Sequence, residues 1–316
     1  GIAVLVEAIS VAEARRAHDL RAAGIVLKGY EAAGRVGTET AFVLLQHWMH
    51  DAPSIAGPRL PVWVQGGVGL HTGAACLAAG AAGFVLDGQV LLARETPLGM
   101  RDREWLASFD GSDTVCLGES FGEGYRFHSR SGAAALAGLA ADADRIERSE
   151  APAGDKLRLW RDAVRARQAD GSLRPLGQDA CFASSLADRF VTVGGIVQAI
   201  CARSRDSVAA ARRLRPLAQG SRLASRHGIR YPILQGPMTR VSDTAPFAAA
   251  VAEAGALPFL ALALLRKAEV AALLRETRDL AAGRPWGVGI LGFVPAEIRE
   301  EQMEAIRACP PPVALI

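Results

Sequence analysis

The clearest pattern in the chain is an alternation of short apolar runs with Ala-rich or amphipathic stretches. Four runs occupy residues 2–8, 25–28, 62–64 and 84–86, and four more occupy residues 231–235, 257–262, 286–291 and 313–316. Apolar runs that alternate with helices are typical of buried parallel strands joined by right-handed crossovers. Eight such β/α units predict an α/β fold of the (β/α)₈ TIM-barrel type, assembled from two half-barrels.

The middle of the chain does not continue this alternation. Two helices are predicted at about 155–168 and 185–203, and a hairpin is predicted to pair residues 114–117 with 125–128 around a Gly-Glu-Gly turn. Residues 132–155 are rich in Ala and Asp and are expected to be exposed or mobile. The pattern therefore predicts three parts: a half-barrel at 1–98, a mainly helical insert and linker at 99–228, and a second half-barrel at 229–316.

Glycine pairs follow two neighbouring strands of the first half-barrel. Gly66 and Gly67 come after the run at 62–64, and Gly88 and Gln89 come after the run at 84–86. Ligands bind at the carboxyl ends of parallel strands. Glycine lets backbone N–H groups approach an anion, and a following helix adds partial positive charge. The loops therefore predict a phosphate cradle, although the simpler interpretation, that both are only turns, stays open.

Composition narrows the functional class. Hydrophobic residues make up 50% and charged residues 22% of the 316 residues, which is typical of a globular protein with a sizeable core. The net charge of +3 and the sparse aromatic residues argue against nucleic-acid binding. Neither a signal peptide nor an apolar run of membrane-spanning length is present, so no membrane partner is expected. The five cysteines form no CxxC pair and indicate reduced thiols in a cytoplasmic protein.

Metal chemistry is not indicated by the sequence. His47 and His50 flank Trp48, but no third ligand lies nearby at the spacing of a metal site. No metal is therefore predicted.

Two motifs resemble the nitronate monooxygenase (2-nitropropane dioxygenase-like) family of FMN-dependent TIM barrels, which includes flavin-dependent enoyl reductases. Tyr231-Pro232-Ile233-Leu234-Gln235-Gly236-Pro237-Met238 matches the Y-P-I-x-Q-G-P-M motif of the family, and residues 29–37 match its G-x-E-A-G-G-H-x-G loop imperfectly. The resemblance implies that residues 235–238 lie against the flavin ring. It also implies that the FMN phosphate is held by Gly66, Gly67, Gly88 and Gln89. Gln178 belongs to a Gly-Gln pair that matches one found after the barrel in the family. We therefore include Gln178, together with Lys28, among the predicted cofactor-binding residues.

The order of these motifs is inverted relative to the family, because the second half of the barrel comes first here. This order is similar to that of tandem nitronate-monooxygenase-like regions in type I polyketide synthases. We therefore expect this chain to be a segment of a larger synthase, and both of its ends look like cut ends of a longer chain. The alternative is a single barrel with permuted strand order. The expected partners are a small-molecule or carrier-bound acyl substrate and other synthase domains.

The chain departs from the family at the position of its catalytic base. Arg35 stands at the position of the family histidine. Ala33 stands at the first of the two glycines that precede this histidine in the motif. Arginine does not deprotonate at working pH. Arg35 is predicted either to bind an anionic substrate or an acyl-carrier phosphate, or to be a salt-bridged residue of an inactive lobe. Glu31 is the other catalytic candidate, and the alternative for it is a structural hydrogen-bond acceptor.

Three functional hypotheses follow. The first is an FMN oxidoreductase that oxidises nitronates or reduces enoyl groups. The second is a catalytically inactive structural or docking lobe of a multienzyme synthase. A different phosphate-binding barrel is the third, and it is weakened because no well-placed catalytic lysine or carboxylate pair is visible.

Overall fold

The computed structural model describes residues 1–52, 57, 59–130, 133–169 and 171–316. The chain divides into two compact units, residues 1–210 and residues 211–316. The predicted boundaries at residues 98 and 228 stay predictions.

The first unit begins with alternating strands and helices and continues mainly with helices. In chain order the elements are β1 (Leu5–Ala8), α1 (Val11–Asp19), β2 (Gly24–Lys28), β3 (Gly34–Val36), α2 (Ala41–Asp51), β4 (Val62–Gln65), α3 (Thr72–Ala78), β5 (Gly83–Val85), α4 (Met100–Ala107), β6 (Thr114–Leu117), β7 (Gly124–His128), α5 (Ala133–Arg148), α6 (Ala153–Ala169), α7 (Ala183–Phe190) and α8 (Val193–Leu214). Short 3₁₀ turns cover Gly88–Val90, Glu119–Phe121 and Gln178–Phe182.

Four strands of this unit form a parallel sheet in the order β1-β2-β4-β5. Its core side chains come from β2 and from the inner face of α2, where Ile25, Leu27, Leu44 and Leu45 are fully buried. Ser10 caps α1, since its side chain accepts a hydrogen bond from the Glu13 N–H. The prediction of parallel β/α units is confirmed for this part of the chain.

The Trp63 side chain on β4 lies across the backbones of both neighbouring strands. A Cβ atom added at Gly24 on β2 would clash with the outer edge of its ring, and one added at Gly83 on β5 would lie 2.9 Å from its Cδ1. Glycine on both sides is therefore required by the close approach of the indole.

A separate antiparallel sheet has the order β3-β7-β6. The predicted hairpin is confirmed, because Thr114 to Leu117 pair with His128 to Tyr125. Helices α5 and α6 pack on this sheet and bury Phe127, Leu139 and Trp160.

Part of the stretch 132–155, which is expected to be exposed or mobile, forms a helix with one buried face. This helix is α5, whose Leu136, Leu139 and Ile146 are buried. The Ala-rich composition hid three larger apolar side chains that share one helical face. Residue 132 lies outside the described residues.

The second unit repeats the β/α alternation. Its elements are α9 (Arg222–His227), β8 (Leu234–Gln235), α10 (Ala245–Ala254), β9 (Leu257–Ala261), α11 (Lys267–Ala281), β10 (Gly287–Gly289), α12 (Ala296–Ala308) and β11 (Val313–Leu315). The strands are parallel in the order β11-β10-β9-β8. Leu260, Val270, Leu274 and Val288 are fully buried in its core. Assembly of one barrel from these two half-sheets stays a prediction.

Within the described ranges, no individual helix combines the length and apolarity needed to cross a membrane. One strongly bent pair, Gln178–Phe190 with Val193–Leu214, meets the same criteria by length and composition only.

Candidate functional site

The predicted phosphate loops lie side by side at the carboxyl ends of β4 and β5. Gly66 and Gly67 adopt φ angles of 109° and 62°, a left-handed region that favours glycine. The Gln65 side-chain amide donates to the Asp87 carboxylate at 3.2 Å and links this loop to the one that begins at Gly88. The structure therefore brings together the two glycine loops that the sequence singled out.

A third segment, the turn Gln178–Phe182, packs onto these loops. The Gln178 N–H donates to the Glu31 carbonyl at 2.8 Å. A Cβ atom added at Gly88 would lie 2.8 Å from the Ala180 nitrogen, so this turn covers the Gly88 Cα. Gln178 therefore lies next to the predicted cradle, and its backbone N–H binds the Glu31 carbonyl.

Gln89 is fully buried, and both the nitrogen and the oxygen of its side-chain amide make hydrogen bonds. Its amide nitrogen donates to the Val68 carbonyl at 2.9 Å and to the Asp179 carboxyl at 3.0 Å. Its amide oxygen accepts from the Asp87 N–H at 2.7 Å. Gln89 therefore joins both glycine loops to Asp179.

Asp179 is the residue of this site that the sequence reasoning missed. It is 2% exposed, and burial, followed by the charges of Asp87 and Glu31, raises its pKa to about 7. A backbone hydrogen bond from Gly67 acts in the opposite direction. Among the described residues its second oxygen, Oδ1, has no hydrogen-bond partner. The available signal was its position directly after the Gly177-Gln178 pair.

Glu31 caps a helix at the edge of the same loops. Both of its carboxylate oxygens accept from the Ala41 N–H, at 3.2 and 3.1 Å, at the start of α2. A carboxylate at a helix N-terminus is stabilised by the helix dipole. Its Oε1 lies 3.0 Å from where a Cβ atom on Gly67 would be. These contacts favour the structural interpretation of Glu31 over a catalytic role.

Arg35, on β3, is held between two carboxylates. Its NH1 donates to Glu13 at 3.2 Å and its NH2 contacts the same group, while its Nε lies 2.8 Å from Glu123. Burial alone would lower the pKa of Arg35, but the hydrogen bonds to Glu13 and Glu123 outweigh it and raise the pKa. Arg35 is thus a fixed cation in a salt-bridge cluster, which favours the second of its two predicted roles.

Glu123 is the centre of that cluster. Arg161 donates to its two oxygens at 2.9 and 2.6 Å, and the Tyr125 hydroxyl donates at 3.0 Å. Burial would raise the pKa of Glu123, but Arg161 and Arg35 lower it to about 2. The position of the family base is therefore tied into the contact between β3 and α6.

Lys28 ends β2 and is 7% exposed. Its ammonium group lies 3.2 Å from the Glu7 carboxylate on the adjacent β1. The Lys28 ammonium group is therefore paired with the Glu7 carboxylate. The predicted role of Lys28 in binding the cofactor stays a prediction.

The glycine loops of the first unit do not fit a phosphate dianion. Glu31, Asp87 and Asp179 place three carboxyl groups beside them. When ionised, these carboxylates would repel a phosphate monoester, which carries about −1.5 to −2 charges. The predicted roles of Gly66, Gly67, Gly88 and Gln89 in holding FMN stay predictions, and the three neighbouring carboxyl groups argue against them.

The loop Gln235–Met238 of the second unit is anchored at both ends and open in the middle. The Gln235 side-chain oxygen accepts from the Phe259 N–H at 3.2 Å, and the Met238 N–H donates to the buried Ser242 hydroxyl at 2.7 Å. A Cβ atom added at Gly236 meets nothing within 4 Å, and Pro237 packs on the Gly289 backbone. The backbone at Gly236 is therefore open, and the predicted flavin contact of residues 235–238 stays a prediction.

These features define an α/β protein of parallel β/α units with its candidate site at the strand ends. Residues 220–310 match the family described as nitronate monooxygenase, which confirms the resemblance for this part of the chain. The match includes the whole motif from Tyr231 to Met238. No curated protein matches the chain significantly.

The chain is similar to three solved structures. FabK from Thermotoga maritima is 20% identical, with 67% of this chain and 64% of that chain covered and a TM-score of 0.50. A nitroalkane oxidase from Streptomyces ansochromogenes is 22% identical, with 65% and 58% covered and a TM-score of 0.43. The enoyl reductase domain of MlnA, from the macrolactin biosynthesis cluster of Bacillus amyloliquefaciens, is 10% identical, with 67% and 69% covered and a TM-score of 0.43. The chain thus spans less than two thirds of the length of FabK, and only that similarity is strong enough to indicate a shared fold.

Proposed function

We propose that the chain is part of an FMN-dependent oxidoreductase of the nitronate monooxygenase type, in which the loop Gln235–Met238 lies against the flavin ring. The observation that carries this proposal is the family match over residues 220–310, because it contains this loop. The open backbone at Gly236 supports it, since a flat ring needs such a face.

The chemistry of such a protein would come from the bound flavin, which supplies hydride transfer and reaction with oxygen. The residues of this chain bind and orient the flavin. Gln235 and Ser242 fix the loop through their hydrogen bonds, Gly236 leaves room beside it, and the half-exposed Met238 offers an apolar contact surface. The proposed substrate is a small nitronate or a carrier-bound enoyl thioester.

The first unit serves as a structural lobe in this proposal. Arg35 stands where the family has its base, and its charge is held by Glu13 and Glu123. A guanidinium in this setting does not accept a proton from a substrate. Residues 1–210 therefore contribute scaffold rather than proton transfer.

We further propose that the chain is a segment of a multidomain polyketide synthase. The support is the order of the motifs, because those of the second half of a family barrel precede those of the first half. Sequencing the complete reading frame tests this part of the proposal, and a reading frame without synthase domains contradicts it.

The experiment for the flavin proposal is a titration of the full chain with FMN, followed by quenching of flavin fluorescence. We expect saturable quenching, and we expect Gly236→Val to weaken binding at least tenfold because its side chain occupies the open face. Gly154→Val is the matched control, because a Cβ atom at Gly154 on α6 also meets nothing within 4 Å. Equal binding by both variants would show that the flavin does not lie on this loop.

A non-catalytic structural or docking lobe without its own flavin is the second candidate for the whole chain. The double ion pair of Arg35 and the carboxyl groups beside the glycine loops favour it. A colourless protein that takes up no added FMN would support this candidate and exclude the first.

A further inference from the structure

The turn at Gly66 and Gly67 follows a buried parallel strand, at the edge of the sheet where ligands bind. Both residues have positive φ angles, which glycine adopts without strain and which leave the backbone N–H groups open to close approach. Gln89 adds a buried side-chain N–H from the neighbouring loop. These donors would face an anion if nothing else occupied the space.

The Asp179 side chain lies against these loops. It accepts a hydrogen bond from the Gln89 side chain at 3.0 Å, and the Gly67 backbone N–H lowers its pKa. Its other oxygen would lie 2.5 Å from a Cβ atom on Gly177, which shows how closely the carboxyl group is enclosed by its own turn. Asp179 is 2% exposed, so solvent does not share the site.

The groups around Asp179 also set the charge of the site. Asp87 lies on the loop after β5 and accepts a hydrogen bond from the Gln65 side chain. Glu31 lies on the loop after β2 and accepts a hydrogen bond from the Ala41 N–H. Both raise the pKa of Asp179 through their charge. An incoming anion would therefore meet the Asp179 carboxyl group and two further carboxylates.

We infer that Asp179 takes the place of a bound phosphate in the first unit, so that this glycine turn is closed to phosphate esters by a carboxyl group of the chain itself. The turn at Gly66 and Gly67 then holds no flavin phosphate. This inference concerns the first unit and does not depend on the loop at Gln235.

Thermal unfolding of the full chain with inorganic phosphate as the probe tests the inference. A ligand that binds only the folded state raises the unfolding temperature as its concentration increases. The variants are Asp179→Ala, which opens the cavity, and Asp179→Ala with Asp87→Asn, which also removes a neighbouring charge. Asp188→Ala is the control, because Asp188 is an exposed carboxylate on α7, close in the sequence.

We expect no phosphate-dependent shift for the unchanged chain or for Asp188→Ala. A shift that rises with phosphate concentration is expected for Asp179→Ala, with a larger one for the double variant. A shift in the unchanged chain equal to that of Asp179→Ala would overturn the inference, because the turn would then be open with Asp179 present. A folded double variant with no shift would also overturn it, because the turn would then have no affinity for anions.

A second measurement applies if the alanine variants do not fold. Asp179→Asn keeps the shape of the side chain but removes its charge. The amide resonances of Gly67 and of the Gln89 side chain should move in this variant and stay in place in Asp188→Ala. Unmoved resonances would show that these donors do not bind Asp179.

Discussion

Replacement of Glu123 by glutamine tests whether the cluster around Arg35 is structural. The Glu123 side chain is 3% exposed and accepts hydrogen bonds from Arg161, Arg35 and Tyr125. Glutamine keeps the size of the side chain but leaves two guanidinium groups without their shared charge. We expect the substitution to destabilise the chain at neutral pH.

The size of the effect follows from the pKa of Glu123, which the arginines lower from 4.5 to about 2. This difference of about 2.5 pH units corresponds to roughly 3 kcal/mol of unfolding free energy at pH 7. Because the folded pKa is lowered, the contribution is complete above pH 4.5 and is lost as the pH falls towards 2. At pH 3.5 about 2 kcal/mol should remain.

Urea unfolding at pH 7 and pH 3.5 measures this difference directly. Glu104→Gln is the control, because Glu104 is exposed on α4 and should change stability by less than about 0.5 kcal/mol. A loss below about 1 kcal/mol at pH 7, or a loss that does not shrink at pH 3.5, would refute the assignment of Glu123 as an ionised, doubly paired group.

Two further predictions concern the first unit. Arg35→His should give no gain in oxygen uptake with an alkyl nitronate and should cost about 1–3 kcal/mol in urea unfolding, because histidine cannot bridge Glu13 and Glu123; faster uptake would show that the lobe lacks only its base. Asp179→Asn should be more stable than the unchanged chain by up to roughly 4 kcal/mol at pH 8, because burial raises the pKa of Asp179 from 3.8 to about 7. The advantage should disappear as the pH falls from 7 towards 4, and an advantage that is independent of pH would contradict the assignment.

The strands and the glycine loops could be predicted from the sequence because each depends on local pattern. Apolar runs such as Val62–Gln65 follow directly from burial on both faces of a parallel sheet. The pairing of the glycine loops at Gly66 and Gly88 follows from the order of neighbouring strands. These features need no knowledge of residues distant in the sequence.

The chemistry around the loops could not be predicted, because it depends on contacts over long sequence separations. Asp179 bonds to Gln89 across 90 residues, and no local pattern indicates this contact. Arg35 reaches Glu123 because β3 pairs with β7. The strand β3 has only three residues, so the periodicity of the sequence does not reveal it. The sequence motifs therefore located the glycine loops but not the carboxyl group that lies beside them.

The indole of Trp63 couples three strands in a way that affects how the sequence can diverge. Any side chain larger than hydrogen at position 24 or 83 needs the space that the ring now fills. Relatives with alanine at either position should therefore carry a smaller residue at position 63. Exchange of Trp63 for valine, conversely, should make position 83 tolerant of alanine, whereas Leu5 and the Pro61 carbonyl still restrict position 24.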